Sequence, residues 1–332
     1  MHSRIALRGA ALLAAALAVT NCSSGSDDDT SADGGTAGTS SSGAFPVTVS
    51  TAFGDVTIDE EPTRVVALGW GDAETALALG VQPVGASDWL AFGGEGVGPW
   101  AEGLYDQAPE IIETMEPSFE AIAALKPDLI LDTKSDGTQE RYESLEAIAP
   151  TVGMPEGVDP YLTTFDEQLE LVSQALGRTD EAEAISADID QAFTDAAAAH
   201  PEFDGTEVAV AAYTSAGWGA YVRGDSRVDF MERLGFTNSA AVQDLAGDTF
   251  SVSVSEEQLP LLDAGLTVAF PIYVDATEIT ANPLWQAIPS VQAGHAVVLE
   301  DQTLVSAFSL GTSLSIEYAL DNAVPLFADA LS

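Results

Sequence analysis

The sequence predicts an α/β protein with two similar lobes, each built on a mostly parallel sheet, joined by one long helix. Three observations predict this architecture. Short apolar runs alternate with helical patterns in both halves of the chain. A helix followed by a strand at Ser118–Leu131 has a counterpart at Ser255–Phe270 in the second half. Between the halves, Asp180–Ala199 contains no turn signal and predicts a long helix.

The first half begins with Val65–Leu68, a short apolar run typical of a buried parallel strand. Ser87–Ala108 is a long glycine-rich loop; loops of this length are usually functional or disordered, and its aromatic residues argue against disorder. The other predicted elements of this half are a helix from Asp72 to Gly80, a strand at Val84–Ala86, a helix between Ser118 and Pro127, a strand at Asp128–Leu131, a helix at Gln139–Ile148 and a strand from Val152.

The second half repeats this alternation after a helical region, Phe165–Ala199, that is interrupted near Gly177 and ends at His200–Pro201. Its predicted elements are a strand at Glu207–Ala212, a loop at Tyr213–Ser226, helices at Val228–Leu234 and Ser255–Leu262, a strand at Leu266–Phe270, a short helix at Pro283–Ile288, a strand at Ala296–Leu299 and a closing helix at Thr312–Leu331. We therefore assign residues 45–164 to an N-terminal lobe, 165–200 to the linking helical region and 201–332 to a C-terminal lobe.

The N-terminal segment predicts export. Arg4 and Arg8 precede Ala10–Val19, an apolar run that is too short to span a bilayer. The only cysteine, Cys22, follows directly and resembles the lipidated residue of a bacterial lipoprotein cleavage site, although Asn21 replaces the usual small residue. We expect residues 1–21 to be a lipoprotein signal peptide and 22–44 a flexible tether. The alternative is a plain secretory signal followed by an incidental cysteine.

The charge of the chain excludes one class of function. The sequence has 10 lysine and arginine residues against 53 aspartate and glutamate residues, a net charge of −43. Nucleic-acid binding needs clustered cations to neutralise phosphates, so we exclude it. Attachment to an anionic membrane by charge is excluded for the same reason, which leaves the lipid on Cys22 as the predicted anchor.

Motifs for catalysis and for metal binding are absent from the sequence. It has no glycine-rich phosphate loop and no dinucleotide fingerprint. Beyond the signal, the two histidines, His200 and His295, have no second ligand at helical spacing, so we expect no metal site built from side chains and no cofactor. His295 is the one candidate base for a serine hydrolase, but it reads as a turn residue before a strand.

Aromatic residues on loops are the strongest candidates for a binding site. Trp70 follows the first strand, and Trp89, Phe92 and Trp100 lie on the long loop after the second, where open parallel sheets bind ligands. Tyr213, Trp218 and Tyr221 occupy the equivalent place in the second lobe, and Phe308 lies on the last loop. We expect these rings to converge on one cleft that accepts a bulky, partly apolar ligand such as a metal chelate. The alternative is that they only pack the loops against the sheets.

The chain also resembles the iron-siderophore and cobalamin binding proteins that serve ABC importers. The resemblance is carried by Pro62–Leu131, with the segments Leu77–Ser87 and Glu116–Leu131 in the same order as in that family, and by Pro283–Val291 around Trp285. It implies a lipid-anchored receptor at the outer face of the cytoplasmic membrane. Such a receptor captures a ferric siderophore between its lobes and delivers it, as a monomer, to an ABC permease with its ATPase.

The resemblance also implies roles for three charged residues. Arg223 follows Tyr221 in a region where arginines of the family often contact the chelate, and a guanidinium can bind ligand oxygens. Glu120 and Glu257 lie in the first turns of helices in the two lobes and match the paired glutamates that dock on permease arginines. Without the resemblance, Glu120 and Glu257 would be interpreted as ordinary acidic residues at helix N-termini.

The charge further suggests the ligand. A strongly acidic protein repels anionic chelates, so we expect a neutral or cationic hydroxamate siderophore. Cobalamin or haem is the alternative within the family. An exported hydrolase and a structural surface lipoprotein are the alternatives outside it.

Overall fold

The computed structural model describes residues 45–247 and 249–332. The predicted signal peptide, Cys22 and the tether lie outside the described residues. The elements of the N-terminal lobe are β1 Val47–Thr51, β2 Gly54–Ile58, β3 Val65–Ala67, α1 Asp72–Ala78, β4 Gly85–Ser87, a 3₁₀ helix Pro99–Ala101, β5 Glu110–Ile112, α2 Phe119–Leu125, β6 Leu129–Leu131, α3 Gln139–Glu146 and β7 Thr151–Val152.

The N-terminal sheet is entirely parallel, with the strand order β5-β4-β3-β6-β7, beside the antiparallel β1-β2 hairpin. Alternate residues of the central strands enter two different cores, because side chains of a strand point to opposite faces. Val66 and Ile130 pack with Ile122 of α2 and Leu145 of α3. Their neighbours Val65 and Leu129 pack on the opposite face. Burial on both faces explains why these strands read as continuous apolar runs.

The linking region consists of two helices, α4 Phe165–Leu176 and α5 Thr179–Ala199. Thr164 caps α4 in a reciprocal capping box with Glu167. Gly177 ends α4 in the left-handed conformation, with φ of 65°. The long helix predicted at Asp180–Ala199 is confirmed as α5 to within one residue.

The elements of the C-terminal lobe are a 3₁₀ helix Pro201–Phe203, β8 Glu207–Thr214, β9 Gly217–Tyr221, α6 Ser226–Arg233, β10 Thr237–Asn238, α7 Ala240–Gln243, β11 Ser251–Val254, a 3₁₀ helix Glu256–Leu262, β12 Leu266–Pro271, α8 Thr277–Thr280, α9 Pro283–Gln286, α10 Pro289–Ala293, β13 Ala296–Val298, α11 Gln302–Leu310 and α12 Ser313–Ala330. The strand order is β11-β9-β8-β12-β13, and β10 pairs with the start of β8. Strands β10, β12 and β13 run parallel to β8 or to each other, and β9 and β11 are antiparallel.

Two sequence expectations for this lobe were wrong. Tyr213–Ser226, expected to be a loop, forms the end of β8 and all of β9, in a hairpin with Thr214 paired to Gly217. Glycines in β9 concealed the strand, because glycine carries no side chain that could show an alternating pattern. Glu256–Leu262, expected to be an α-helix, is a 3₁₀ helix with Pro260 inside it.

Buried polar contacts join the two lobes. Thr312, the N-cap of α12, donates its hydroxyl to the Glu74 carboxylate over 2.7 Å. The ammonium of Lys134 donates to the hydroxyl of Ser226 over 2.8 Å. These bonds hold the carboxyl ends of the N-terminal strands against the start of α6 and of α12.

Among the described residues, no helix combines the length and apolarity needed to cross a bilayer.

Candidate functional site

Four half-buried aromatic rings meet between the lobes, and we call them the aromatic cluster: Trp70, Trp89, Tyr161 and Phe250. Trp70 stacks on Trp89 with ring centroids 4.2 Å apart and on Tyr161 at 4.3 Å. Phe250, from the C-terminal lobe, meets both Trp70 and Tyr161 edge-on at 6.3 Å. The cluster therefore has a wall from each lobe.

Trp70 is held at the carboxyl end of β3 by main-chain hydrogen bonds. Its N–H donates to the Lys134 carbonyl over 2.9 Å, and its carbonyl accepts from Gln168 of α4 over 2.9 Å. The preceding Gly69 has no space for a side chain, because a Cβ there would lie 2.7 Å from the main-chain nitrogen of Lys134. The sequence around Trp70 thus fixes the ring at the sheet edge where open α/β sheets bind ligands.

The other two rings of the N-terminal wall are held by loops. Trp89 follows β4, whose last residue Ser87 donates its hydroxyl to the Leu68 carbonyl over 2.7 Å. Tyr161 has φ of 64°, a left-handed conformation that is unfavourable for an aromatic residue. Its N–H donates to the Ser135 carbonyl over 2.9 Å, which holds that conformation. Backbone strain of this kind concentrates at functional sites.

The cluster also carries free hydrogen-bond donors. The buried indole N–H groups of Trp70 and Trp89 have no hydrogen-bond partner among the described residues. Buried donors are almost always paired in folded proteins, so two unpaired ones in adjacent rings indicate a place where a ligand oxygen would be favourable.

Cations near the cleft are largely compensated by the protein's own acids. Arg227 donates to Asp225 over 2.8 Å and lies 4.1 Å above the ring of Tyr221. Lys134 is only 5 % exposed, and burial lowers the pKa of its ammonium, while the nearby carboxylates of Asp225 and Asp229 oppose that shift. The cleft therefore offers rings and neutral donors more than free positive charge.

A buried ion pair supports the N-terminal wall. Arg141 donates two hydrogen bonds to Asp132, each 2.8 Å long, and both side chains are almost fully buried. Arg141 also donates to the Thr114 carbonyl over 3.2 Å. The Asp132 carboxylate compensates the charge of Arg141, and these bonds hold the loops after β5 and β6 together.

The structure brings only some of the predicted residues to the cleft. Trp70 and Trp89 form its N-terminal wall. Arg223 is exposed on the loop before α6, and its guanidinium pairs with Glu232 over 2.7 Å. Tyr221 is 5 % exposed; it lies under Arg227 and stacks on Phe270, with ring centroids 5.8 Å apart, in a core of the C-terminal lobe and not in the aromatic cluster.

The remaining predicted rings lie elsewhere. Trp100 donates its indole N–H to Glu74 over 2.8 Å and packs near Tyr318, so it belongs to the contact between the lobes. Trp218 is 4 % exposed and stacks on Trp285 in the core on one face of the C-terminal sheet, with Tyr213 packed beside it. Phe308 is 1 % exposed in the core on the other face. The expectation that Trp218, Tyr213 and Phe308 meet Trp70 in one cleft is not supported, because strands β8 and β9 and helix α11 carry these rings into the cores of the C-terminal lobe.

Sequence reasoning missed Tyr161, Phe250 and Lys134. Tyr161 follows Asp159–Pro160 in a segment without periodicity, and Phe250 lies directly before β11. Their approach to Trp70 depends on long-range packing, for which the sequence carries no local signal.

The two predicted docking glutamates are presented alike in the two lobes. Glu120 lies in the first turn of α2 after the cap Ser118, and Glu257 in the first turn of the 3₁₀ helix after the cap Ser255. Both are exposed, and neither forms a salt bridge with any described residue. Within residues 45–247 and 249–332, no group of histidine, cysteine and acidic side chains is arranged to hold a metal ion.

Sequence comparison identifies the family. The profile of the periplasmic binding protein family matches residues 65–303, so the chain belongs to this family. Members of this family are substrate-binding proteins of ABC transporters and not enzymes. The two-lobe α/β architecture predicted from the sequence is that of the family.

Characterised relatives support this assignment. The chain is 29% identical over 283 residues to the "Probable siderophore-binding lipoprotein YfiY" of Bacillus subtilis, covering 80% of this chain and 82% of the relative. It is 25% identical over 301 residues to the Fe(3+)-citrate-binding protein YfmC of the same organism, covering 86% and 85%. The crystal structure of Streptococcus pneumoniae PiaA in complex with ferrichrome superposes with a TM-score of 0.75 at 25% identity, covering 86% of this chain and 98% of PiaA.

Proposed function

We propose that this protein captures a ferric siderophore in the cleft between its lobes and passes it to an ABC permease. The observation that carries the proposal is the aromatic cluster, which draws rings from both lobes and in which the indole N–H groups of Trp70 and Trp89 have no partner within residues 45–247 and 249–332. A ferric chelate presents flat, partly apolar ligand arms with oxygens near the iron. Rings and neutral donors suit that chemistry.

A hydroxamate siderophore is our preferred ligand. The relatives named above include proteins described as binding a siderophore and ferric citrate, and a similar structure contains ferrichrome. The cations Arg227 and Arg141 are already paired with Asp225 and Asp132, so they offer little to an anionic chelate. Arg223 follows Val222, whose N–H donates to the carbonyl of Phe250 over 3.2 Å. Its ion pair with Glu232 is exposed to solvent and therefore weak, so we assign to Arg223 hydrogen bonds to ligand oxygens.

The finer features of the transport role are also proposals. Glu120 and Glu257 would engage arginines of the permease, one from each lobe. Lipidation of Cys22 would hold the protein at the outer face of the cytoplasmic membrane, where it would act as a monomer. The iron would be held by the chelate alone and not by protein side chains.

Fluorescence titration tests the proposal. Purified protein is titrated with ferrioxamine, ferrichrome, ferric enterobactin, ferric citrate, haem and cobalamin while tryptophan emission is recorded. We expect saturable quenching, tightest for a neutral or cationic hydroxamate. Trp70→Ala should weaken binding by at least about tenfold, as expected for loss of a central ring.

Trp218→Phe is the matched control, because Trp218 stacks on Trp285 in the core and the introduced phenylalanine retains an aromatic ring there. It should lower the total emission but leave the affinity unchanged. Tighter binding of ferric enterobactin than of ferrioxamine would contradict the hydroxamate assignment. Absence of quenching by every chelate would contradict the receptor role itself.

A further inference from the structure

A cavity of about 440 Å³ lies where the linking helices meet the C-terminal lobe. Its walls come from the start of α4, from α5 and α6, and from α11 and α12. Four phenylalanines, Phe165, Phe193, Phe230 and Phe308, line it, but none of the four rings of the aromatic cluster does. It is therefore a site separate from the cleft, with a volume in the range that small ligands occupy.

The charged groups of the cavity leave a negative excess. Arg233 is paired with Asp190, and Glu232 is paired with Arg223. Asp229 and Asp166 also line the cavity, and neither forms a salt bridge among the described residues. Asp229 is half-buried, so its carboxylate lacks full hydration. Its nearest compensating charge is the ammonium of Lys134, which donates to the cavity residue Ser226 and forms no salt bridge with Asp229.

Two rings of the cavity already contact a cation of the protein, the guanidinium of Arg233. The guanidinium of Arg233 lies 4.1 Å above the centre of the Phe193 ring and 5.8 Å from that of Phe165. Rings that face a cation stabilise it through their negative faces, most strongly where water is excluded. Burial and the neighbouring charge of Asp225 raise the pKa of Asp229 to about 6, whereas the ammonium of Lys134 lowers it. A second nearby cation would favour its ionised form further.

We propose that this cavity is an accessory binding site for a small organic cation with an apolar body, such as an aryl-alkyl ammonium ion. The ammonium group would pair with Asp229, and the apolar body would lie against Phe165 and Phe230. Arg233 would remain paired with Asp190 and would limit the site to a single added positive charge.

The cavity lies between the linking region and the C-terminal lobe. Ser226, which lines the cavity, accepts the hydrogen bond from Lys134 of the N-terminal lobe. Thr164 and Phe165 begin the linking helix α4. An occupant would therefore contact the C-terminal lobe and the linking region at once.

Calorimetry with matched probes tests the site. Phenethylammonium is the cationic probe, and 2-phenylethanol is a neutral probe of nearly the same shape. We expect the cation to bind saturably and the alcohol to bind about tenfold more weakly, the loss expected for a charge-assisted hydrogen bond. Asp229→Asn should weaken binding of the cation by about tenfold and leave that of the alcohol unchanged. Asp188→Asn, which alters an exposed acid on α5 outside the cavity, should change neither.

Two further measurements locate the binding event. In the wild-type protein, amide chemical shifts should change at residues 164–166 and 226–233 on addition of the cation. Trp70→Ala should leave cation binding intact, and Asp229→Asn should leave quenching by the ferric chelate intact. Loss of cation binding in Trp70→Ala, equal affinities for the two probes, or shift changes confined to the aromatic cluster would each overturn the proposal.

Discussion

At the scale of single residues, two arginine–carboxylate pairs differ mainly in exposure. The side chains of Arg141 and Asp132 are 8% and 6% exposed, whereas those of Arg223 and Glu232 are 54% and 32% exposed. The buried pair has lost its water, so each partner depends on the other. The exposed pair retains water and gains little from the contact.

Replacing the two arginines identically separates these effects. Arg141→Leu should lower the free energy of unfolding by about 3–5 kcal/mol, because it leaves the Asp132 carboxylate buried without a partner. Arg223→Leu should lower it by less than about 1 kcal/mol. Urea unfolding followed by far-UV circular dichroism measures both. Equal losses would show that burial does not govern the strength of these pairs.

The candidate site was only partly predictable from single residues. Trp70 and Trp89 follow strands of a parallel sheet, and their positions at strand ends are a local property that the sequence displays. Tyr161 and Phe250 reach Trp70 from 91 and 180 positions away along the chain, and no local pattern encodes those contacts. Trp218 misled the prediction because a ring beside glycines resembles a loop, whereas antiparallel pairing with β8 makes it a strand residue.

At the scale of elements, most helices and the central parallel strands were predicted, whereas the β1–β2 hairpin, strand β5 and helix α11 were missed, the last having been expected as a loop around Phe308. Apolar runs such as Val65–Leu68 and helix signals such as Ser118 act within a few residues, so they survive in the sequence. The hairpin β8–β9 and the 3₁₀ helix at Glu256–Leu262 depend on pairing and packing in the folded lobe. Both lie in the C-terminal lobe, whose mixed sheet departs from the repeat of the first half.

The proposed contacts with the permease lie on two helical first turns, which carry Glu120 and Glu257. Charge reversal in both lobes, Glu120→Arg with Glu257→Arg, should abolish uptake of the ferric chelate into proteoliposomes containing the cognate permease. Chelate affinity should stay the same, because the glutamates are exposed and do not belong to the aromatic cluster. Like charges facing permease arginines would prevent docking.

Glu183→Arg provides the control for this experiment, since it reverses one exposed acid on α5 without touching either first turn. Uptake with this variant should match that of the wild type. Normal uptake by the double variant would contradict the docking assignment. A parallel loss of chelate affinity would instead indicate that these glutamates contribute to chelate binding.

At the scale of the whole molecule, stability should decrease as the pH rises from about 4 to about 6. Burial, followed by the charge of Asp225, raises the pKa of Asp229 from 3.8 to about 6, and burial does the same for Asp72. A carboxyl whose pKa is higher in the folded state binds its proton more tightly when folded. Its contribution is therefore complete at low pH and lost as the pH rises through the folded value.

Asp229→Asn isolates one of these groups. Between pH 4 and pH 7 the free energy of unfolding of the wild type should fall by up to about 3 kcal/mol more than that of the variant, from a pKa raised from 3.8 to about 6. Urea unfolding at each pH measures the difference. A variant whose stability depends on pH as steeply as that of the wild type would show that Asp229 titrates normally.

The lobes should move little when the chelate binds. Glu74–Thr312 and Lys134–Ser226 hold them together through buried hydrogen bonds, and α5 packs against α12 across the linking region. Closure about a flexible hinge would break these contacts and leave the ammonium of Lys134 buried without a partner, which is costly. The linking helices therefore favour a cleft that is formed before the ligand arrives.

Distance measurements between spin labels test this rigidity. With Cys22 replaced, cysteines introduced at the exposed positions Glu146 and Glu278 label one lobe each. The distance distribution should be the same within its width with and without the ferric chelate. Ser226→Ala should broaden it, because the variant removes the acceptor for Lys134 but leaves the cap of α6 on Asp225 intact. A clear shift of the distribution in the wild-type protein on binding would instead show hinge closure, and the linking helices would then not set the cleft width.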